Sequence, residues 1–232
     1  MALGLFVTGT DTGVGKTLVS CALLRMLRTR GVDAVGYKPI VTGIENGRWG
    51  DADALHSASD RIEPLERICP LRFQAPMAPV PAAALERREI DLDAARAALE
   101  RLAEKHACVV AEGIGGLLVP LDKRTLVADF IGARDFRVVL VAKAQLGTVN
   151  HTLLTLNELH RRGLEVAAVI MNVTRPEDAD NAQASRAEIE RHAGRAIDAT
   201  LPYFGGDIGT RLAAATQYLQ VQLDLNRLLK EK

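Results

Sequence analysis

Aromatic residues are scarce, at 4% of the 232-residue chain, so its core has to be assembled mainly from Ala, Val, Leu and Ile. Cysteine is equally sparse. Cys21, Cys69 and Cys108 are odd in number, far apart and without a C-x-x-C pair, so they read as small buried apolar residues. The five histidines (His56, His106, His151, His160 and His192) offer no compact zinc-binding spacing, and a transition metal is not expected. An excess of either charge is missing too: 29 basic side chains balance 29 acidic ones, and the isoelectric point is about 7.0. That argues against a nucleic-acid or anionic-membrane surface as the main business of the chain. No apolar run approaches the roughly 18 residues of a membrane span. The opening "MALGLFVTGT" has no basic leader and passes straight into an apolar stretch, so a cytoplasmic protein is expected.

What is present is a regular alternation. Apolar runs at 3–8, 34–38, 108–112, 137–142, 166–171 and 196–201, with a weaker one near 69–73, are rich in Val, Ile, Ala and Leu and lack strict alternation. Such runs fit strands buried on both faces of a parallel sheet. Helical patterns separate them at 16–30, 91–106, 125–134, 148–162, 178–193 and 208–230. The expected fold is α/β, a single domain spanning residues 1–232 with a doubly wound, mostly parallel sheet. The proline-rich "FQAPMAPVPAAALE" (73–86) is the one shift in composition. It reads either as a rigid surface loop or as a loop bordering the site.

The stretch "GTDTGVGKT" (9–17) stands between the first strand and the first helix. Backbone N–H groups can surround a phosphate chain only where the backbone turns sharply, and Gly9, Gly13 and Gly15 permit it. The helix behind them aims its free N–H groups and positive dipole end at the anion, Lys16 reaches the outer phosphates, and Thr17 is placed for Mg²⁺. The spacing is G-x₅-G-K-T, one residue longer than the usual P-loop pattern; the strand-before, helix-after context supports it nonetheless. Glu112 closes the "CVVAE" strand, where P-loop proteins carry the acid that binds the metal or its water. "GDADALH" offers both Asp51 and Asp53, each equally a helix cap; the residues alone do not choose between them. "VGYKPIVTG" puts Lys38 and Thr42 at the expected end of the second strand, on the cradle's edge of the sheet. By itself Lys38 reads first as a surface lysine with a snorkelling stem, ahead of a site residue. The guanine-reading N-K-x-D pattern is absent, which favours ATP.

Seven motifs in order, "GTDTGVGKT", "GYKPIVTG", "DADAL", "PMAPVPAA", "AEGIGGLLVP", "LGTVNHTLLT" and "IMNV", span almost the whole chain, which resembles the dethiobiotin synthetase family. The resemblance implies an ATP- and Mg²⁺-dependent cyclo-ligase that carboxylates 7,8-diaminononanoate with CO₂ and closes a ureido ring through a carbamate and a carbamic-phosphoric anhydride. It assigns the nucleotide to Gly13, Val14, Gly15, Lys16 and Thr17, with Asn172 and Pro202 at the adenine. It assigns Mg²⁺ to Thr17, Asp53 and Glu112, thereby choosing Asp53 over Asp51. Lys16, Lys38 and Thr42 become the catalytic set. Lys38, Thr42, Gly115, Gly116 and the segment Gly147, Thr148, Val149 and Asn150 meet the substrate; that last segment receives the substrate's carboxylate from a neighbouring subunit, which implies a homodimer. Physically, Thr148 reads as the cap of a helix whose first amides make a carboxylate site. Gly13, Ala78 and Val80 depart from the residues that many relatives carry. A P-loop switch ATPase of the partitioning or septum-positioning type shares the sheet and the cradle, and a cobalamin-type amidoligase uses a similar ATP domain. The first normally adds a lysine early in its loop, where this chain has Gly9, Thr10 and Asp11; the second would need a glutamine-hydrolysing partner domain.

Overall fold

A computed structural model describes residues 3–229. Eight strands and ten helices follow one another: β1 (Leu3–Gly9), α1 (Lys16–Thr29), β2 (Ala34–Tyr37), β3 (Ile40–Thr42), α2 (Gly50–Ala58), α3 (Leu65–Ile68), β4 (Leu71–Phe73), α4 (Pro79–Leu85), α5 (Leu92–Lys105), β5 (Cys108–Glu112), α6 (Val127–Gly132), β6 (Phe136–Lys143), α7 (Thr148–Arg161), β7 (Val166–Asn172), α8 (Ala179–Ala193), β8 (Ala199–Leu201), α9 (Ile208–Gln222) and α10 (Leu225–Leu228). Six strands form one parallel sheet in the order β2-β5-β1-β6-β7-β8, and β3 pairs with β4 in a separate parallel ribbon. Consecutive residues of β2 and β5 are buried throughout, so both sheet faces are covered. The scarcity of aromatics shows in the core: Phe6 packs edge-on against Phe136 at 5.3 Å and lies 6.5 Å from Phe130, Tyr37 and Phe73 are buried elsewhere in it, and most of the remainder is aliphatic.

Because the strands of the main sheet are all parallel, their carboxyl ends share one edge, where the loops of an α/β sheet build a site. Gly9, Tyr37, Glu112, Lys143, Asn172 and Leu201 are the last residues of the six strands.

The structure redraws several expected elements. The second strand ends at Tyr37, ahead of Lys38 and Pro39, because proline has no N–H for a sheet ladder. Thr42 accordingly lies on β3, in the small ribbon, rather than at the end of β2. The proline-rich segment contains helix α4, with Pro79 as its first residue and Pro81 in its first turn, where helical N–H groups have no partner anyway. Glu86 then accepts the backbone N–H groups of Gln74 and Ala75 and ties the segment back on itself. The predicted helix 208–230 breaks in two, since Asp224 caps a new turn by accepting from Asn226 and Arg227 N–H; its predicted end at Lys230 lies outside the described residues. All three cysteines are buried and unpaired, and burial pushes the thiols of Cys69 and Cys108 up to about 12. Among the described residues no helix is long and apolar enough to cross a membrane.

Candidate active site

The loop between β1 and α1 is drawn tight by its surroundings. Thr10 N–H bonds Val141 O at the end of β6, and Lys16 Nζ curls back to Asp11 O at 2.8 Å. Gly15, the residue before α1, has φ of 95°, and a Cβ there would stand 2.1 Å from Asn172 Nδ2. Only glycine meets both conditions. Asn172 in turn donates from Nδ2 to Val14 O at 2.9 Å, so the end of β7 grips the loop directly. The loop after β5 lies over the other side: a Cβ on Gly116 would meet Thr10 O at 3.4 Å and Gly9 O at 3.6 Å.

Beneath this loop four side chains close a ring. Thr17 Oγ1 lies 2.6 Å from Asp51 Oδ1 and 3.0 Å from Glu112 Oε1. Lys38 Nζ donates to Asp51 Oδ2 at 2.8 Å, to Glu112 Oε1 at 2.6 Å and to Gly113 O at 3.1 Å. Lys38 is 1% exposed and Glu112 is wholly buried, so the surface-lysine reading fails. Burial alone would depress the Lys38 ammonium, but the Glu112 and Asp51 charges outweigh it and hold it above its ordinary value. Burial likewise would raise Asp51, and the neighbouring Lys38 charge holds it below the usual carboxylate range. In Glu112 burial wins and the carboxyl is raised. Lys16 falls to about 8, first through burial and then through the like charge of Lys38. The lysines of the first and second loops therefore lie close enough for their charges to repel.

The metal acid that the resemblance selects is not the one the fold brings here. Asp53 lies two residues further along the first turn of α2 and reaches back to accept Trp49 N–H at 2.8 Å, while Asp51 faces Thr17 and Lys38. The helical spacing of two residues turns their side chains to different sides. The oxygen set of Thr17, Asp51 and Glu112 suits a hard divalent cation. Glu112 Oε2 is buried without a hydrogen-bond partner, and the single Thr17 proton cannot serve both carboxylates at once. The spacings of 2.6 and 3.0 Å from Thr17 Oγ1 compare with the ~3.0 Å ligand–ligand edge that Mg–O bonds of about 2.1 Å imply.

The other predicted residues are placed as follows. Gly13 (φ 65°) has open space where a side chain would be. Gly115 and Gly116 reach the site with the loop after β5, whereas Thr42 is half-buried and makes no hydrogen bond with the ring. Gly147 (φ 92°) precedes α7 and is its cap; Thr148 is the first helical residue and is buried, which corrects its expected capping role. Val149 is half-buried, Asn150 is exposed, and Leu146 beside them is 93% exposed. Pro202 is exposed just past β8, next to the end of β7. Two contributors escaped the sequence reading altogether, the carbonyls of Asp11 and Gly113. Backbone groups carry no residue signature that could have announced them.

The chain is similar in sequence and in fold to known proteins. A family profile described as an AAA domain matches residues 3–205. The chain is 54% identical to the ATP-dependent dethiobiotin synthetase of Anaeromyxobacter dehalogenans strain 2CP-1, over 86% of this chain and 90% of that protein. It is 50% identical to that of strain 2CP-C, over 95% and 98%. Among solved structures it is similar in fold to a MinC:MinD cell division protein complex of Aquifex aeolicus, with a TM-score of 0.62, 14% identity, and coverage of 100% of this chain and 97% of that one.

Proposed function

The chain belongs to the ATP-dependent dethiobiotin synthetases and is therefore an ATP-dependent ligase; from that premise we propose that it closes the ureido ring of dethiobiotin from 7,8-diaminononanoate, CO₂ and ATP. The observation that carries this reading is the ring of Thr17, Lys38, Asp51 and Glu112, with Lys38 and Glu112 buried, set at the glycine loop. A nucleotide switch needs the loop and a metal. A second, buried lysine fixed at the same point serves a transferring phosphoryl group.

The chemistry runs in three steps. The nitrogen of one substrate amine attacks CO₂ and loses a proton, giving a carbamate. A carbamate oxygen attacks the γ-phosphorus of ATP, ADP leaves, and the carbamate becomes a carbamic-phosphoric anhydride. The adjacent amine then attacks the carbonyl carbon, inorganic phosphate departs, and the five-membered urea forms with loss of a proton. Holding two amines on neighbouring carbons makes that last attack intramolecular. Lys16 and the amides of Gly13, Val14, Gly15 and Thr17 hold the phosphate chain at the start of α1. Lys38 faces the carbamate and γ-phosphoryl oxygens, where negative charge develops. Thr17, Asp51 and Glu112 would hold Mg²⁺, which would supply neutralisation of phosphate charge. Asn172 and Pro202 border the adenine, and Gly115 and Gly116 admit the substrate closely.

The substrate's carboxylate meets the amides of Gly147, Thr148, Val149 and Asn150 from a second copy of the chain. Support for such a homodimer lies in Leu146 and Leu154, which are 93% and 60% exposed at and along α7. The whole chain acts as one domain and works in the cytoplasm. A switch ATPase of the septum-positioning type has fold likeness alone in its favour.

The test supplies ATP, Mg²⁺, bicarbonate and the diamine, and follows phosphate release together with the cyclic urea. Diamine-dependent phosphate release matched one to one by urea is expected. ATP hydrolysis that ignores the diamine, with no urea formed, refutes the reading.

A further inference from the structure

We infer that the Lys38 ammonium and a divalent cation are alternative counter-ions of Asp51 and Glu112, so that metal loading is what frees Lys38 to face the transferring phosphoryl group. This rests on the ligase reading above, because it concerns when that lysine becomes available.

A lysine ammonium has three N–H donors. All three are spent, on Asp51 Oδ2 at 2.8 Å, Glu112 Oε1 at 2.6 Å and Gly113 O at 3.1 Å. A lysine so engaged donates nothing to a substrate. The same ammonium is the ion-pair partner of both carboxyl groups, at 2.8 Å from Asp51 Oδ2 and 2.6 Å from Glu112 Oε1. Bringing a doubly charged ion onto Thr17, Asp51 and Glu112 while the ammonium kept its place would set like charges about 4 Å apart, a repulsion of several RT even with solvent screening. The backbone at Lys38 is pinned by its N–H to Ile68 O at 2.8 Å, so the flexible four-carbon stem is the part able to move. The unpartnered Glu112 Oε2 is the ring oxygen already without a donor, and the first that a cation can take without breaking a bond.

The probe is Mn²⁺ alone, added to nucleotide-free protein and titrated by the electron paramagnetic resonance of the free ion. Lys38→Met keeps the buried stem volume and removes the competitor, so it should bind Mn²⁺ at least about tenfold more tightly than the wild type. Its melting temperature should fall below the wild type's without metal, and Mn²⁺ should narrow the gap. Should that variant fail to fold, the wild type decides the matter. Reductive methylation read by mass spectrometry should leave Lys38 protected without metal and label it faster with Mn²⁺, while exposed Lys123 labels equally in both. Equal or weaker Mn²⁺ binding by a folded Lys38→Met, or Lys38 labelling that does not rise with Mn²⁺, overturns the inference. A protein that passes these tests and forms no urea keeps the counter-ion exchange and loses the ring-closing reading; one that forms urea and fails them does the reverse.

Discussion

Asp51 and Asp53 are two residues apart on α2, and separate substitutions tell which one serves the site. Asp51 bonds Thr17 Oγ1 at 2.6 Å and Lys38 Nζ at 2.8 Å. Removing its charge as Asp51→Asn weakens the attraction for a cation roughly 4 Å away by about 4 kcal/mol per unit charge at an effective dielectric near 20. The Asp51 side chain is 44% exposed, so solvent screening reduces that to about 2 kcal/mol. A divalent ion feels twice as much, and the amide oxygen that remains returns part of it. The Mg²⁺ concentration for half-maximal activity should therefore rise about 100- to 1,000-fold, at 1.36 kcal/mol per factor of ten. Asp53→Ala removes only the bond to Trp49 N–H. It should cost about 1 kcal/mol of folding stability, the usual loss at a helix start, and leave the Mg²⁺ requirement unchanged. Diamine-dependent phosphate release over a Mg²⁺ series, paired with urea denaturation, reads both quantities. A large rise in Mg²⁺ requirement for Asp53→Ala, with Asp51→Asn near wild type, would falsify the assignment.

Two further outcomes follow from the same geometry. Lys16 titrates near 8 rather than at 10.5 because burial and then Lys38 disfavour its charge, so the free protein keeps the cation below that pH and loses it above. Affinity for a non-hydrolysable ATP analogue should hold below pH 8 and fall by up to about tenfold per unit above it, since binding must then take up a proton. Calorimetry in two buffers of different ionisation heat should show that uptake near pH 9, and its absence there contradicts the lowered value. Gly15→Ala should lose stability through two separable causes, the positive φ and the 2.1 Å approach of Asn172. Adding Asn172→Ala should relieve the second and leave about 1–3 kcal/mol from the first; urea denaturation showing either full rescue or none counts against that division.

Much of the site was legible because its chemistry rides on local spacing. The glycine loop, Lys16 and Thr17 are neighbours in the chain, and strand-to-helix context is written into the apolar run before them and the helical pattern after. Glu112 was readable for a similar reason, since a parallel sheet sends every strand end to one edge. Asp51 was visible but unselected. Its phase on α2 depends on where that helix begins, and the Gly50 start has no capping side chain to announce it. Lys38 was ambiguous because a lysine at a strand end is solvated or buried according to what surrounds it. Its partners lie 13, 74 and 75 residues away. The proline-rich α4 was misread for a different cause, since prolines mark a loop in composition and a first helical turn in structure.

The amino-acid order by itself determined the parallel α/β scaffold, the buried thiols and the phosphate-binding character of the first loop, all of which follow from periodicity, burial and neighbouring residues. Only the folded chain decided which aspartate, which carbonyls and which face of Lys38 meet. Those contacts are fixed by the angle at which separate segments arrive at one sheet edge, and no local pattern encodes that angle. The pairing of Asn172 with Val14, 158 residues apart, belongs to the same class: a hydrogen bond is made within about 3 Å, a tolerance that chain separation does not predict and packing does.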